Sequence, residues 1–422
     1  MSGTVNSNSG TPVPSSPATR CCSIPELLDR IVDFFAENNS RDAIADLSLV
    51  CKAWHQTIVS RLWHHIKIDR RNGFGPPIAI SAFARFRPET RSLIQPVSIT
   101  LGAFTTENIA ELADFLSAVG PSVTQWVMKT NCARGFVRYL ARFACFDIVR
   151  RLDITIRAVD DVEAMDILLR QCTMLEDLSI TEGTDPTVHA SLGSLCAPEQ
   201  IQKFIFKTAD PQKRVSRDVY KDISRMTNVE YLRIEEGYIS NEKLSMLATL
   251  SRIRKLVLNT FNTCEDSFYM SEDVQNNRAP LQKLLETNGP HLETLDITNF
   301  PSDVTLITIH CQALEELILD CCNIDAPRMV TGLVMSLPHL KLLCIREIKP
   351  VPEGTDVEPE LDYLAEILAE REPKLSLFLD WRSVGYALHG PEFLASPSLY
   401  DMDALSVGMV VRYFDWDHWE LK

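Results

Sequence analysis

The sequence has little glycine, 16 residues in 422. Phosphate-binding loops and the strand-to-helix turns of serine hydrolases need glycine at fixed spacing, and neither pattern occurs. The two-histidine motif of zinc proteases is also absent. Acidic pairs such as Asp160-Asp161 and Glu315-Glu316 occur, but nothing places one of them beside a histidine or a nucleophile. We therefore do not expect an enzyme with its own active site.

Metal-binding patterns of cysteine and histidine are missing as well. None of the 12 cysteines forms a Cys-x-x-Cys pair, so we expect reduced thiols rather than a disulfide or zinc framework. His64 and His65 are neighbours, and adjacent residues of a helix point about 100° apart, so they cannot converge on one ion. The sequence predicts neither a metal ion nor a cofactor.

Long apolar runs and an excess of positive charge are also lacking. The 42 Lys and Arg residues stand against 57 Asp and Glu, and the net charge of −15 repels nucleic acid and anionic lipid. No apolar run approaches the ~20 residues of a membrane-spanning helix. Residues 1–20 have no apolar core of the kind a secretory signal needs. We expect a soluble intracellular protein, cytoplasmic, nuclear or both, with neither nucleic acid nor a membrane as its partner.

Regular structure is predicted to begin after residue 20. Residues 1–20 consist mainly of Ser, Thr, Pro, Gly and Asn and are expected to form a disordered tail. Ser23 and Glu26 have the spacing of a capping box at the start of a helix. Two apolar stripes at helical spacing follow, separated by the polar residues 37–41. The stripes consist of Leu27, Leu28, Ile31, Val32, Phe34 and Phe35, and then of Ile44, Leu47, Cys51, Trp54, Ile58 and Leu62.

This helical segment resembles the F-box, the module by which proteins dock on the adaptor subunit of cullin-RING ubiquitin ligases. The resemblance rests on Ile24-Pro25-Glu26, where the family usually has Leu-Pro-x-Glu, on the Leu47 to Trp54 segment, and on Leu62-Trp63. It implies an adaptor-binding module over residues 21–68. It further implies that the adaptor face and the adjoining packing are supplied by Ile24, Pro25, Leu28, Ile31, Leu49, Val50, Cys51 and Trp54.

A binding role for this segment is also expected on physical grounds. So small a helical unit cannot hide all of its apolar side chains internally, because its surface is large for its volume. Some of these side chains must then face a partner. The alternative is that the unit packs against the rest of its own chain.

A strand-like pattern with apolar residues at positions a, a+3 and a+5 recurs from residue 94 onward. Most steps between successive starts lie between 22 and 29 residues, and one step is 39 residues. This period resembles that of leucine-rich repeats, with LEELILDCCNI at 314–324 the nearest match to their pattern. The starts are Ile94, Val123, Val149, Leu175, Ile201, Val229, Ile253, Leu292, Leu314 and Leu340.

Helical stripes between these strands complete the predicted unit. Examples lie at 109–119, at Leu244 and Leu247, and at 329–337. The predicted fold class is therefore α/β: a short helical F-box-like module followed by a leucine-rich-repeat-like solenoid of strand-helix units with a parallel sheet. The predicted division is a tail at 1–20, the F-box-like module at 21–68, a linker at 69–93, the solenoid at 94–379 and an aromatic C-terminal cap at 380–422.

Two segments stand outside the repeat pattern. The 39-residue step predicts a loop at 262–277, which either contacts a partner or is simply solvated. The aromatic residues of 380–422 are expected to cap the open end of the solenoid, with contact to a ligand as the alternative.

Side chains at a+2, a+4 and a+6 of each strand should form the concave face of the sheet, opposite the core. In the middle strands this face is rich in basic residues, unlike the chain as a whole. It suits an acidic or phosphorylated protein segment, while an ordinary solvated face is the alternative. The predicted substrate-binding residues are Arg151, Lys203, Lys207, Tyr231, Arg233 and Lys255.

These features predict a non-enzymatic substrate receptor of a cullin-RING ubiquitin ligase. Its F-box-like helices would hold the adaptor and, through it, the cullin, while the solenoid would hold an unknown protein substrate. The alternative is a leucine-rich-repeat interaction scaffold not linked to ubiquitination. An unrecognised enzyme is the third possibility.

Overall fold

The structure is a computed structural model of the 422-residue chain. It describes residues 30–31, 58, 63–68, 96–101, 115–128, 146–210, 213–237, 239–260, 278–298, 304–320, 326–346, 363, 366–368, 370 and 375–379. The predicted tail, the loop at 262–277 and the C-terminal segment 380–422 lie outside these residues.

In the part of the chain that the structure describes, twelve strands form one sheet, and each strand pairs in parallel with the next strand along the chain. This order is that of a solenoid in which every turn adds one strand. The strands are β1 (His65–Ile68), β2 (Ser98–Leu101), β3 (Gln125–Met128), β4 (Arg151–Ile156), β5 (Asp177–Glu182), β6 (Lys203–Thr208), β7 (Tyr231–Glu236), β8 (Lys255–Thr260), β9 (Thr294–Thr298), β10 (Glu316–Asp320), β11 (Leu342–Arg346) and β12 (Ser376–Leu379).

Helices pack on one side of this sheet. Their apolar residues, such as Leu244 and Leu247, belong to the same buried cluster as the strand residues Leu232 and Leu256. The predicted fold class, a leucine-rich-repeat-like α/β solenoid with a parallel sheet, is confirmed. The α-helices whose bounds the described residues give are α1 (Val159–Gln171), α2 (Arg217–Ile223), α3 (Asn241–Leu247), α4 (Arg278–Asn288), α5 (Val304–His310) and α6 (Ala326–Ser336).

One repeat departs from the strand-helix unit. Between β5 and β6 the chain forms no α-helix and only a short 3-10 turn at Pro198–Gln200. Val188, Leu192 and Leu195 of this connection are nevertheless buried in the common core. Apolar side chains from an irregular segment therefore replace those of a helix in this repeat.

Successive repeats are joined by a recurring hydrogen-bond arrangement at the start of each strand. The carbonyl of Thr124, for instance, accepts hydrogen bonds from the backbone N–H groups of Arg150 at 2.8 Å and Arg151 at 3.1 Å. The carbonyl of Gln202 accepts in the same way from Glu230 at 2.8 Å and Tyr231 at 3.0 Å. Because each carbonyl satisfies two N–H groups of the next turn, this arrangement keeps the strands in one register.

The register of the first predicted repeat differs from the expectation. The sequence pattern placed apolar positions at Ile94, Val97 and Ile99, but Ser98 pairs with Gln125 and Ile99 with Trp126, so the repeat starts two residues later, at Pro96. A shift of two residues leaves every side chain on the same face of the sheet. Alternation alone therefore could not distinguish the two registers.

The sheet also begins earlier than the predicted solenoid. Strand β1 lies before residue 94, yet it pairs with β2. Its residue Ile66 is buried in the common core. Trp63 is half-buried and packs against the same cluster. The end of the segment assigned to the F-box-like module is thus continuous with the sheet.

The alternation of buried and exposed strand residues gives a direct stability test. Leu256 is fully buried and the adjacent Lys255 is exposed. We expect Leu256→Ala to lower the free energy of unfolding by about 2–5 kcal/mol, because it leaves a cavity in the core. Lys255→Ala is expected to change it by about 0.5 kcal/mol or less. Equal losses of unfolding free energy for the two variants in urea denaturation would contradict the assignment of Leu256 to the core side and Lys255 to the exposed side of the sheet.

Candidate protein-binding face of the sheet

The face of strands β4–β8 opposite the helices carries mainly polar side chains, and we call it the polar face. The alternating burial of β4, β5 and β6 leaves every second residue at least partly exposed on this side. It consists of Arg151, Asp153, Thr155, Asp177, Ser179, Thr181, Lys203, Ile205, Lys207, Tyr231, Arg233, Glu235, Lys255, Val257 and Asn259.

Three cations of the polar face lie in one row. The register pairs Arg151 with Asp177, Asp177 with Lys203, Lys203 with Tyr231 and Tyr231 with Lys255. Arg151, Lys203 and Lys255 therefore stand on every second strand, and we call them the cation row. Among the residues that the structure describes, no carboxylate lies within ion-pair distance of these three.

Lys203, at the centre of the cation row, lies beside an aromatic ring and near charges of both signs. Its ammonium lies 5.0 Å from the centre of the Tyr231 ring, which is a favourable cation–π contact. Partial burial lowers the pKa of Lys203; Asp177 opposes this effect, and Arg151, Arg233 and Lys255 add to it by repulsion. An incoming anion would relieve this repulsion.

The other two basic residues of the predicted site share one carboxylate partner. Glu235 pairs with Arg233 through a very short contact and with Lys207 at 3.5 Å. The structure thus brings all six predicted substrate-binding residues to one face, and of the five cations among them only the cation row lacks a carboxylate partner within the described ranges. Asp177 and Glu235 lie on the same face and offset part of its positive charge, which strand alternation alone does not predict.

The polar face does not continue evenly across the later strands. Val257, Ile318 and Cys344 occupy the a+4 positions that we expected to be exposed, but their exposed fractions are 2%, 2% and 4%. Thr294, at an a+2 position, is only 3% exposed. The later strands therefore do not offer a continuous open face, although Asn259, Asp296 and Glu316 are still half-buried on that side.

Buried ion pairs stabilise the loops at the far end of the polar face. The Glu182 carboxylate at the end of β5 lies 3.0 Å from the Lys213 ammonium, and both side chains are almost completely buried. Glu182 also accepts a hydrogen bond from the backbone N–H of Ala190 at 2.6 Å. Lys213 donates to the carbonyls of Asp185 at 3.1 Å and Val188 at 2.5 Å. The pair thereby ties the whole 183–190 loop to the sheet.

Glu236, at the end of β7, has the same role as Glu182. Its carboxylate pairs with the Lys243 ammonium at 2.8 Å, accepts from the backbone N–H of Val215 at 2.9 Å and accepts a very short hydrogen bond from the Tyr220 hydroxyl. Burial raises the pKa of Glu236, although Lys243 opposes this effect. These acids satisfy backbone groups of the loops, a role that no pattern in the sequence predicts.

An open recess of about 510 Å³ lies at the opposite end of the strands. It is lined by residues that include Glu230, Arg254, Glu293 and Glu315. Arg254 pairs with Glu293 through a very short contact, and Glu315 pairs with Lys341 at 2.8 Å. Because these charges join neighbouring repeats to one another, we interpret the recess as a feature of the scaffold.

Of the eight predicted adaptor-binding residues, the structure describes Ile31. It is helical and half-buried. Ile24, Pro25, Leu28, Leu49, Val50, Cys51 and Trp54 lie outside the described residues, so the adaptor face remains a prediction.

Metal-binding clusters and membrane-spanning helices are both absent from the described ranges. No cluster of three or more His, Cys, Asp or Glu side chains there could hold a metal ion. Within the same ranges, no helix has the length and apolar character needed to span a membrane.

Comparisons with known proteins identify no family for this chain. No protein-family model matches the chain, and a search of curated proteins finds no match. Solved structures that are similar include an internalin from Listeria monocytogenes, at 13% identity, covering 80% of each chain with a TM-score of 0.38. An LRR protein of Leptospira interrogans is 13% identical, covering 85% of this chain and 92% of that one with a TM-score of 0.37. The yeast complex of Rad7 and Elc1 matches at 12% identity, 86% and 93% coverage and a TM-score of 0.34.

Proposed function

We propose that this chain is the substrate-recognition subunit of a cullin-RING ubiquitin ligase. The F-box-like segment 21–68 docks on the adaptor, and the polar face holds the protein to be ubiquitinated. The chain supplies no nucleophile; it raises the effective concentration of a substrate lysine near the ubiquitin-carrying enzyme. Such a subunit works in the cytoplasm, the nucleus or both.

The observation that carries the substrate-binding half of this proposal is the cation row. Arg151 and Lys255 are exposed, Lys203 is half-buried, and no described carboxylate pairs with them. In a chain with a net charge of −15, unpaired cations gathered on one face favour an acidic or phosphorylated protein segment as the ligand.

The adaptor-binding half rests on the F-box resemblance of the sequence. The second candidate function, a repeat scaffold outside ubiquitination, shares the polar face and lacks only the adaptor. The two candidates are distinguished by whether adaptor and cullin co-purify with the full chain.

Charge reversal on the polar face tests the substrate-binding half. We expect Lys203→Glu with Lys255→Glu to reduce the recovery of co-purified substrates at least about tenfold, because attraction becomes repulsion at close range. Arg233 is left intact because its loss would leave Glu235, which is only 8% exposed, with a weaker partner. Recovery is measured by quantitative mass spectrometry of proteins captured from cells.

The matched control reverses two exposed lysines on the helical side. Lys221→Glu with Lys283→Glu makes the same change in net charge on α2 and α4. We expect substrate recovery with this control to stay near that of the wild type. Equal losses in both variants, or no loss in either, would remove the polar face as the recognition surface.

A further inference from the structure

The spacing of the cation row restricts the conformation of the chain it can bind. Arg151, Lys203 and Lys255 occupy equivalent positions on β4, β6 and β8. Neighbouring strands of a sheet are about 4.8 Å apart, so the Cα atoms of successive residues in the row are about 9.6 Å apart, and we take this as the repeat that a bound segment must match. A segment that crosses the strands must present anions on one side at this interval to meet all three.

Polyproline II comes nearest to this interval. It has three residues per turn and rises about 3.1 Å per residue, so every third side chain points the same way at about 9.3 Å. An α-helix returns to the same side after seven residues, at about 10.5 Å, and the error doubles by the third cation. An extended β-strand places side chains of one face about 6.7 or 13 Å apart and misses the second cation.

The residues between the cations fit the same ligand. Tyr231 places an aromatic ring in the row between Lys203 and Lys255, and aromatic surfaces are what proline-rich segments dock on. Asp177, between Arg151 and Lys203, would repel an anion at that point. A ligand with uncharged residues between its anions therefore suits the row better than a continuous acidic run.

We propose that the cation row binds a polyproline II segment that carries an anionic side chain at every third residue. The anion is a carboxylate or a phosphate, since both are recognised by arginine and lysine. This inference rests on the proposed role of the polar face in substrate binding and specifies the class of segment that is bound. Because such a segment is already extended and stiff when free, little conformational entropy is lost on binding.

The test uses two peptides of closely matched composition with the full chain. In the first, Glu-Pro-Pro-Glu-Pro-Pro-Glu, the acids recur at every third residue; in the second, Pro-Glu-Pro-Glu-Pro-Glu-Pro, they recur at every second. Affinity is measured by fluorescence anisotropy at low salt. We expect the first peptide to bind at least about tenfold more tightly, since only it can meet all three cations. A second pair with phosphoserine in place of Glu shows which anion is preferred.

Variants of the row and of its neighbour complete the design. The Arg151→Gln, Lys203→Gln, Lys255→Gln variant should bind both peptides equally weakly. Lys207→Gln, on the same strand as Lys203 but already paired with Glu235, should keep most of the preference. An alanine-rich helical peptide with Glu at every seventh residue should bind less tightly than the first peptide.

Several outcomes would overturn the inference. They are equal affinities within both peptide pairs, tighter binding of the helical peptide, a preference that survives in the triple variant, or no binding of any peptide to a normally folded chain. The proposed function is judged separately. If charge reversal abolishes substrate capture while the paired peptides bind equally, the spacing inference fails and the receptor role stands. If the first peptide is preferred but no adaptor co-purifies, the spacing inference stands and the receptor role fails.

Discussion

Replacing Lys213 by methionine is expected to lower the free energy of unfolding by about 3–5 kcal/mol, because it leaves the buried Glu182 carboxylate without a compensating charge. The side chains of Glu182 and Lys213 are 0% and 2% exposed, so water cannot replace the lost partner. The carbonyls of Asp185 and Val188 lose a donor in the same variant. Urea denaturation of the full chain measures the change.

A second variant separates the charge effect from the loss of packing. Glu182→Gln combined with Lys213→Met removes both charges and keeps an acceptor for the Ala190 N–H group. We expect this double variant to be more stable than Lys213→Met alone. Lys341→Met, which breaks the exposed pair with Glu315, should cost about 0.5 kcal/mol or less. A double variant no more stable than Lys213→Met would show that the buried charge is not the cause.

The second large effect is expected at the adaptor. Pro25→Ala combined with Trp54→Ala should weaken adaptor binding by at least about 100-fold, because truncating a central aromatic residue of an interface commonly costs about 2 kcal/mol or more. The solenoid should keep its thermal stability, since its first strand begins at His65. Binding of the purified adaptor is measured by calorimetry.

The control for the Pro25→Ala, Trp54→Ala variant replaces the same two residue types outside the predicted module. Pro14→Ala with Trp416→Ala changes one proline and one tryptophan in the two terminal segments. Adaptor binding by this control should match the wild type. Undiminished binding by the Pro25→Ala, Trp54→Ala variant would show that the F-box resemblance does not mark the docking face.

The repeat period accounts for most of what the sequence could predict. Apolar residues at a, a+3 and a+5 point into the core, so a correct spacing places each strand and both of its faces. Strands β3 to β11 appear where this spacing put them, as the pairing of Arg151, Asp177 and Lys203 shows. Strand β1 was missed because its residues, His65–Ile68, follow a helical stripe and were assigned to the helical module.

Charges were harder to predict than strands. Glu182 and Glu236 are two among 57 acidic residues, and no pattern in the sequence distinguishes a carboxylate that satisfies loop N–H groups from one in solvent. The pairing of Arg233 and Lys207 with Glu235 depends on side-chain conformation. The burial of Val257, Ile318 and Cys344 could not be predicted either, because the alternation rule assumes that one side of every strand is exposed to solvent.

The central claim is that one chain links a substrate on its polar face to a ligase adaptor. The most direct measurement is capture through the tagged adaptor from cells that express the chain, with quantification of the co-purified substrates and cullin. The account predicts that wild-type chain brings both substrates and cullin into the complex. It also predicts that the Lys203→Glu, Lys255→Glu variant is captured with cullin but without the substrates. The Pro25→Ala, Trp54→Ala variant should not be captured by the adaptor at all. Substrates that bind the chain while adaptor and cullin are absent would contradict the claim and identify the chain as a scaffold outside ubiquitination.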